Sequence, residues 1–296
     1  MENSLFHGVA TAIVTPFKNG RVDFESFEKL IERQIAGKIA ALVFLGTTGE
    51  PCALSCYEYE KILRFAVETV NKRVPVIAGA GSNSTATAVK KAVVSEKSGA
   101  DGLLVVTPYY NKCSDSGLIA HYKAVQKAAN LPVIAYNVPS RTGYNLTPAL
   151  ALKLYKSGFI AGIKEASGDK KQIRETIETF KNRIPVYSGN DDKNLFFYER
   201  GASGAISVTS NVFPEAAVSV YNEVSAGNSK KAKAVQSKLK RINSALFSSV
   251  NPIPVKYALS TLSLCENELR LPLTPLSEDK RGEVFAAINE LKEIFL

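Results

Sequence analysis

The chain has 296 residues, 45% of them hydrophobic and 22% charged, with a formal net charge of +9. This balance lies far from the low-hydrophobicity, high-charge corner where chains stay disordered, and the length suits one large core such as a barrel with an extension. No apolar run approaches the roughly 20 residues of a membrane span, and residues 1–8 lack a basic segment followed by an apolar stretch, so a cytoplasmic protein with no membrane association is expected.

In chain order, eight short apolar or β-branched runs occur at 9–14, 40–45, 74–78, 102–107, 133–136, 160–164, 185–188 and 205–208, each followed by helical periodicity. That is the pattern of repeated βα units around a parallel sheet. Asp23 is placed to cap a helix at 24–35, Ser55 one at 57–70 and Asp115 one at 118–128, while Thr147-Pro148 opens another. Gly37, Gly99, Gly158 and Gly201 follow helical stretches at positions suited to left-handed C-caps. After the eighth run come helical stretches at 230–248, 255–263 and 279–295 with no strand between them.

The expected fold is therefore α/β, a (β/α)8 TIM barrel over residues 1–226 with a C-terminal three-helix extension over 227–296. A doubly wound sheet usually has fewer strands and often opens with a phosphate loop. Here Gly79-Ala80-Gly81-Ser82-Asn83 lacks that loop's spacing and its lysine, and reads as a tight βα turn. Cys52, Cys56, Cys113 and Cys265 form no Cys-x-x-Cys pair, and His7 and His121 stand at no zinc spacing, so reduced structural thiols and no metal are expected. Basic residues are scattered as pairs such as Lys90-Lys91, Lys170-Lys171 and Lys230-Lys231, which suit solvated helix faces and give no reason to expect a nucleic-acid partner. The positive field favours small anionic substrates.

In such barrels the site forms at the C-terminal ends of the strands. There the chain places Gly46-Thr47-Thr48-Gly49-Glu50, Thr107-Pro108-Tyr109-Tyr110-Asn111, Tyr136-Asn137 followed by Arg141-Thr142-Gly143, and Lys164-Glu165. Strand alternation puts Lys164 on the face of Gly162 and Ile160. An ammonium desolvated inside the barrel has its pKa pulled down, which leaves an amine able to attack a carbonyl and form an imine. Taken alone, Lys164 fits better a strand-end lysine with its tip in solvent or paired to Glu165. Tyr136 suits proton transfer at the imine-forming carbon, or a packed core position. Thr47-Thr48 lies in a glycine-bracketed turn that lets amides and hydroxyls approach a carboxylate, or is an ordinary turn. Arg141 offers a carboxylate a bidentate fork, or is a solvated surface charge.

With these motifs in one order, the chain closely resembles the dihydrodipicolinate synthases of bacterial and plant lysine biosynthesis, almost end to end. The carriers are Gly46-Thr47-Thr48-Gly49-Glu50, Pro108-Tyr109-Tyr110-Asn111-Lys112, Tyr136-Asn137-Val138-Pro139-Ser140-Arg141-Thr142-Gly143, Gly162-Ile163-Lys164-Glu165-Ala166 and Asn251-Pro252-Ile253-Pro254-Val255-Lys256. The resemblance implies condensation of pyruvate with L-aspartate 4-semialdehyde to 4-hydroxy-tetrahydrodipicolinate, begun by a pyruvate imine on Lys164 and needing no cofactor. It implies a proton relay of Tyr136, Thr47 and Tyr110, with Tyr110 reaching into the neighbouring subunit of a homotetramer built from tight dimers. Thr48, the backbone near Ile206, and Gly189 match substrate-binding positions, the first two for the pyruvate carboxylate, and Arg141 matches the residue that takes the semialdehyde carboxylate. Cys113 departs from the pattern, since members often carry proline there; that bears on loop rigidity rather than mechanism.

A rival within the superfamily is an aldolase for N-acetylneuraminate or a 2-oxo-3-deoxy sugar acid, using the same lysine and tyrosine; Arg141 in the loop after the fifth run argues against it. A rival of another class, a non-enzymatic barrel that binds a ligand or nucleic acid, would be marked by loss of Lys164 or Tyr136. Many members also bind free lysine between subunits. Asn83 and Tyr109 match residues lining that site, but Cys56 and Thr87 stand where lysine-regulated relatives carry histidine and glutamate. Weak or absent inhibition by L-lysine is therefore expected.

Overall fold

The computed structural model describes residues 5–295. Eight parallel strands close into a barrel: β1 (Gly8–Ala12), β2 (Ala41–Phe44), β3 (Val76–Gly79), β4 (Gly102–Val106), β5 (Val133–Asn137), β6 (Gly162–Glu165), β7 (Val186–Ser188) and β8 (Gly204–Ser207), with β8 paired back onto β1. The (β/α)8 TIM barrel expected from periodicity is the architecture observed. A short antiparallel ladder, Phe17–Lys18 with Arg21–Val22, precedes the first helix and had no signal in the periodicity.

Alternation along the strands builds two cores. Ala10, Ala12, Ala41, Val43, Ile77, Leu104, Ile134, Tyr136, Tyr187 and Ile206 point into the barrel, where Phe6 stacks on Tyr187 at 4.2 Å between ring centroids. Leu42, Phe44, Ala78, Leu103, Val105, Ala135 and Ile163 point outward against the helices. Each fully buried Val, Leu or Ile side chain contributes about 1.5–3 kcal/mol, so this double layer is the main source of stability.

Gly79 closes β3 and Gly81 lies in the short connection to the helix Thr85–Lys97, where the βα turn was expected, and both also permit close backbone approach. A Cβ on Gly79 would meet the Leu45 carbonyl oxygen at 2.0 Å, and one on Gly81 would meet the Val106 nitrogen at 2.6 Å. Only glycine lets these backbones pass.

Asp23 accepts from the Ser26 N–H, Ser55 forms a capping box with Glu58, and Thr147 accepts from the Leu150 N–H. The helix Asp115–Ala128 is capped by Ser114, whose hydroxyl accepts from the Gly117 N–H, with Asp115 in its first turn instead of at the expected cap. Gly37 keeps φ −72°, and the left-handed residue is Lys38 at φ 60°. Gly99, Gly158 and Gly201 take positive φ as expected.

Pro214–Ser225 completes the eighth unit. The first of the three stretches expected after it is two helices, Ser229–Lys238 and Lys240–Ala245, meeting at Leu239. Ile253–Thr261 and Glu278–Phe295 follow, so the stretches hold four helical segments among the described residues.

Candidate active site

Lys164 is the penultimate residue of β6, with its side chain inside the barrel and 5% exposed. It is in register with Tyr136 on β5, and its Nζ lies 4.2 Å from the Tyr136 ring centroid. Burial pulls its pKa from 10.5 down to about 8, against the nearby Asp191 and with help from the Arg141 guanidinium. At pH 8 that leaves about half the molecules with a neutral amine, against roughly 0.3% for an ordinary lysine.

The neighbouring carboxylate takes no part in this. Glu165 points to the other face of β6, where it accepts from Ser167 N at 2.6 Å, Asn137 Nδ2 at 3.0 Å and Gln172 Nε2 at 3.2 Å. The Lys164–Glu165 pairing left open by the sequence is thus not formed. The outward network joins the ends of β5 and β6 and so fixes the inward direction of Tyr136 and Lys164. Ile160 lies ahead of β6 and packs with the outer layer, not on the face of Lys164.

Space for the Lys164 side chain comes from Gly189. A Cβ there would lie 3.0 Å from Lys164 Cε and 2.6 Å from Ala166 Cβ. Tyr136 is 7% exposed, and burial raises its phenol pKa, eased by Arg141 and a hydrogen bond with Thr47. At neutral pH the phenol is therefore protonated and able to donate.

Thr47–Gly49 form a single 3-10 turn after β2. Thr15 Oγ1 donates to the Gly49 carbonyl at 2.8 Å, and Thr48 Oγ1 accepts from Asn251 Nδ2 at 2.9 Å. Arg141 lies in the helical turn Pro139–Thr142 and donates from Nη2 to the Asn251 carbonyl at 3.3 Å.

Two adjoining cavities, of about 340 and 200 Å³, open at this end of the barrel and share Thr47, Tyr136, Arg141 and Asn251 as walls. Lys164, Thr48 and Gly189 line the smaller one. Ile206 is buried in the barrel interior and lines neither. Tyr110 is also absent from both walls, being 90% exposed on its loop.

The sequence motifs included Asn251 without a role and passed over Asn190. Both line the smaller cavity, and the buried Oδ1 of each has no hydrogen-bond partner among the described residues. Asn190 follows β7, so the rule that strand ends line the site was signal enough. Asn251 had no such signal, because it reaches the barrel mouth from the C-terminal segment. The four cysteines are free thiols: Cys265 is buried in the outer core and Cys113 packs against that core half-buried, whereas Cys52 and Cys56 are exposed and have no such packing role.

A family model described as the dihydrodipicolinate synthetase family matches residues 5–291. The chain belongs to that family. Among its relatives, the 4-hydroxy-tetrahydrodipicolinate synthase of Alkaliphilus oremlandii is 46% identical, covering 98% of this chain and 99% of the relative. The crystal structure of dihydrodipicolinate synthase from Thermotoga maritima superposes with a TM-score of 0.94 at 45% identity, covering 98% of each chain. The chloride-inhibited dihydrodipicolinate synthase of Acinetobacter baumannii, complexed with pyruvate, gives 0.94 at 41% identity over 97% of this chain and 99% of that one.

Proposed function

We propose that this enzyme, a class I aldolase-type lyase, condenses pyruvate with L-aspartate 4-semialdehyde to 4-hydroxy-tetrahydrodipicolinate in lysine (diaminopimelate) biosynthesis, through an imine on Lys164. The observation that carries this reading is one buried lysine of lowered pKa against a buried tyrosine, in a cavity walled by an arginine. The neutral amine adds to the pyruvate carbonyl and water leaves. The imine draws electrons from the adjacent methyl, which gives up a proton, and the resulting enamine adds to the aldehyde carbon. Tyr136 and Thr47 carry protons between these steps, while Thr48 and Gly189, which line the smaller cavity with Lys164, hold the pyruvate end. Since Tyr110 projects away from its own cavities, we assign it to the site of a neighbouring chain in a homotetramer of tight dimers. Free thiols suit a reducing cytoplasm.

Arg141 decides between this substrate pair and a sugar acid. It is the guanidinium shared by both cavities, placed for a second carboxylate. Borohydride reduction in the presence of pyruvate, followed by peptide mapping, tests the imine on Lys164. In Arg141→Ala the same trapping should proceed nearly as in the parent, while semialdehyde use falls roughly tenfold to a hundredfold, as expected for a lost charge-assisted contact of about 1.5–3 kcal/mol. Equal damage to both half-reactions would refute the role.

L-lysine is expected to inhibit weakly or not at all. Cys56 and Thr87 are exposed and uncharged where a lysine ammonium would need a partner, and the two nearby carboxylates are already engaged. Glu50 is buried against Lys256, and Glu58 is gripped by Arg270 at 2.6 and 3.0 Å, which holds its carboxyl at about 2. Initial rates at saturating pyruvate decide the point. Half-inhibition below about 1 mM, equivalent to about 4 kcal/mol of binding, contradicts it.

A further inference from the structure

We propose that the buried ion pair Glu50–Lys256 positions the catalytic turn, holding Thr47-Thr48 and Asn251 in register so that the C-terminal helices form part of the catalytic unit; this rests on the site reading above. Glu50 closes the 3-10 turn in the left-handed region, at φ 53° and ψ 44°, a conformation that residues with a Cβ adopt reluctantly. Its backbone N–H bonds to the Thr47 carbonyl at 3.3 Å. Its side chain is 1% exposed and that of Lys256 is 0% exposed, with Nζ and Oε1 2.5 Å apart.

No other arrangement of these two groups is open at low cost, because each is satisfied on its remaining sides. Lys256 Nζ donates to the Glu268 carbonyl at 2.8 Å and sits 4.0 Å from the centroid of the Phe17 ring. Glu50 Oε2 accepts from Arg270 N at 3.2 Å.

These contacts close a ring. From Glu50 the pair leads to Lys256, whose N–H bonds the Pro252 carbonyl at 3.0 Å in the first turn of Ile253–Thr261. That turn begins beside Asn251, which donates to Thr48 at 2.9 Å and accepts from Arg141 at 3.3 Å. The turn after β2 and the C-terminal helix are thus pinned at two points, and Thr47, Thr48, Asn251 and Arg141 take their places from the same frame. A buried ion pair adds little net stability over an apolar pair of the same shape, because its attraction is offset by desolvation. What it specifies is distance and direction, and misplacement of a reacting group by about 1 Å costs about a hundredfold in rate.

The test uses the full chain and three variants: Glu50→Gln, Lys256→Met and the double Glu50→Gln/Lys256→Met. Melting temperature, kcat per site counted by borohydride trapping, and KM for each substrate are measured well below every melting temperature. Each single variant is expected to melt lower and to lose roughly ten- to a hundredfold in kcat per site, with a raised KM for pyruvate. In the double variant the melting temperature should return while kcat stays depressed. A purely structural pair would instead restore both, and parental kcat and KM in the folded double variant would overturn the proposal. Should these variants fail to fold, Glu50→Asp keeps the charge and shortens its reach by one methylene: a lower kcat per site with a raised KM for pyruvate supports the positioning role, and parental kcat and KM overturn it. Trapping in the parent enzyme checks the site separately: an adduct away from Lys164 defeats the site reading, whereas an adduct at Lys164 with an unimpaired double variant defeats only the positioning role.

Discussion

Lys164→Ala is expected to give a folded protein whose condensation rate is lower by at least about a thousandfold, the scale of loss when a covalent nucleophile is removed. Folding survives because the variant loses methylene packing but also loses an ammonium that the barrel interior solvates poorly. The parent should show a matching pH dependence. Only the neutral amine attacks, and burial lowers the Lys164 pKa to about 8. Pyruvate trapping at low pyruvate should therefore climb tenfold per pH unit below 8 and level off above it.

Stability carries the opposite face of the same shift. The folded pKa lies below the unfolded 10.5, so below pH 8 the folded state bears the full cost of the buried ammonium, about 3 kcal/mol. That cost fades as pH rises from 8 to 10.5. Lys164→Met should consequently be more stable than the parent at pH 7 and lose that advantage near pH 10, as read by denaturant titration. A borohydride adduct on another lysine, or an active Lys164→Ala, would sink the assignment.

Tyr136→Phe should lower kcat by about a hundredfold to ten thousandfold, the range for a lost general acid or base, with the fold unchanged. The ring that lies against Lys164 remains in this variant, so the packing of the amine is preserved and only the hydroxyl is lost. Burial keeps the phenol protonated at neutral pH, while Thr47 and Arg141 stabilise the phenolate that forms when it gives up its proton. Trapping of pyruvate should suffer less than turnover, because the amine and its environment are intact. Single-turnover trapping alongside steady-state rates separates the two, and parental turnover in the variant would remove Tyr136 from the relay.

Periodicity carried the barrel. Side chains alternate along each strand with a period of two and along each helix with one near 3.6, so burial of one face is written into local composition, and runs such as Ala41-Leu42-Val43-Phe44 declare themselves. The strand-end rule then placed Thr47, Tyr136, Arg141 and Lys164 at one mouth. It could not say which way Glu165 points in space, whether the Lys164 amine meets solvent, or that Gly79 and Gly81 also serve close backbone contact. Those depend on what lies across from each residue, and the partners are distant in the chain: Gly189 beside Lys164, Leu45 beside Gly79, Val106 beside Gly81.

The same distance hid the contribution of the C-terminal helices. Short-range pattern and residue type were enough for the fold class and for the chemical groups that gather at the barrel mouth. That Asn251 meets Thr48 across 203 positions, and that Lys256 is buried against Glu50, emerges in the folded chain alone, since hydrogen bonding and desolvation are set by which surfaces the closed barrel brings together.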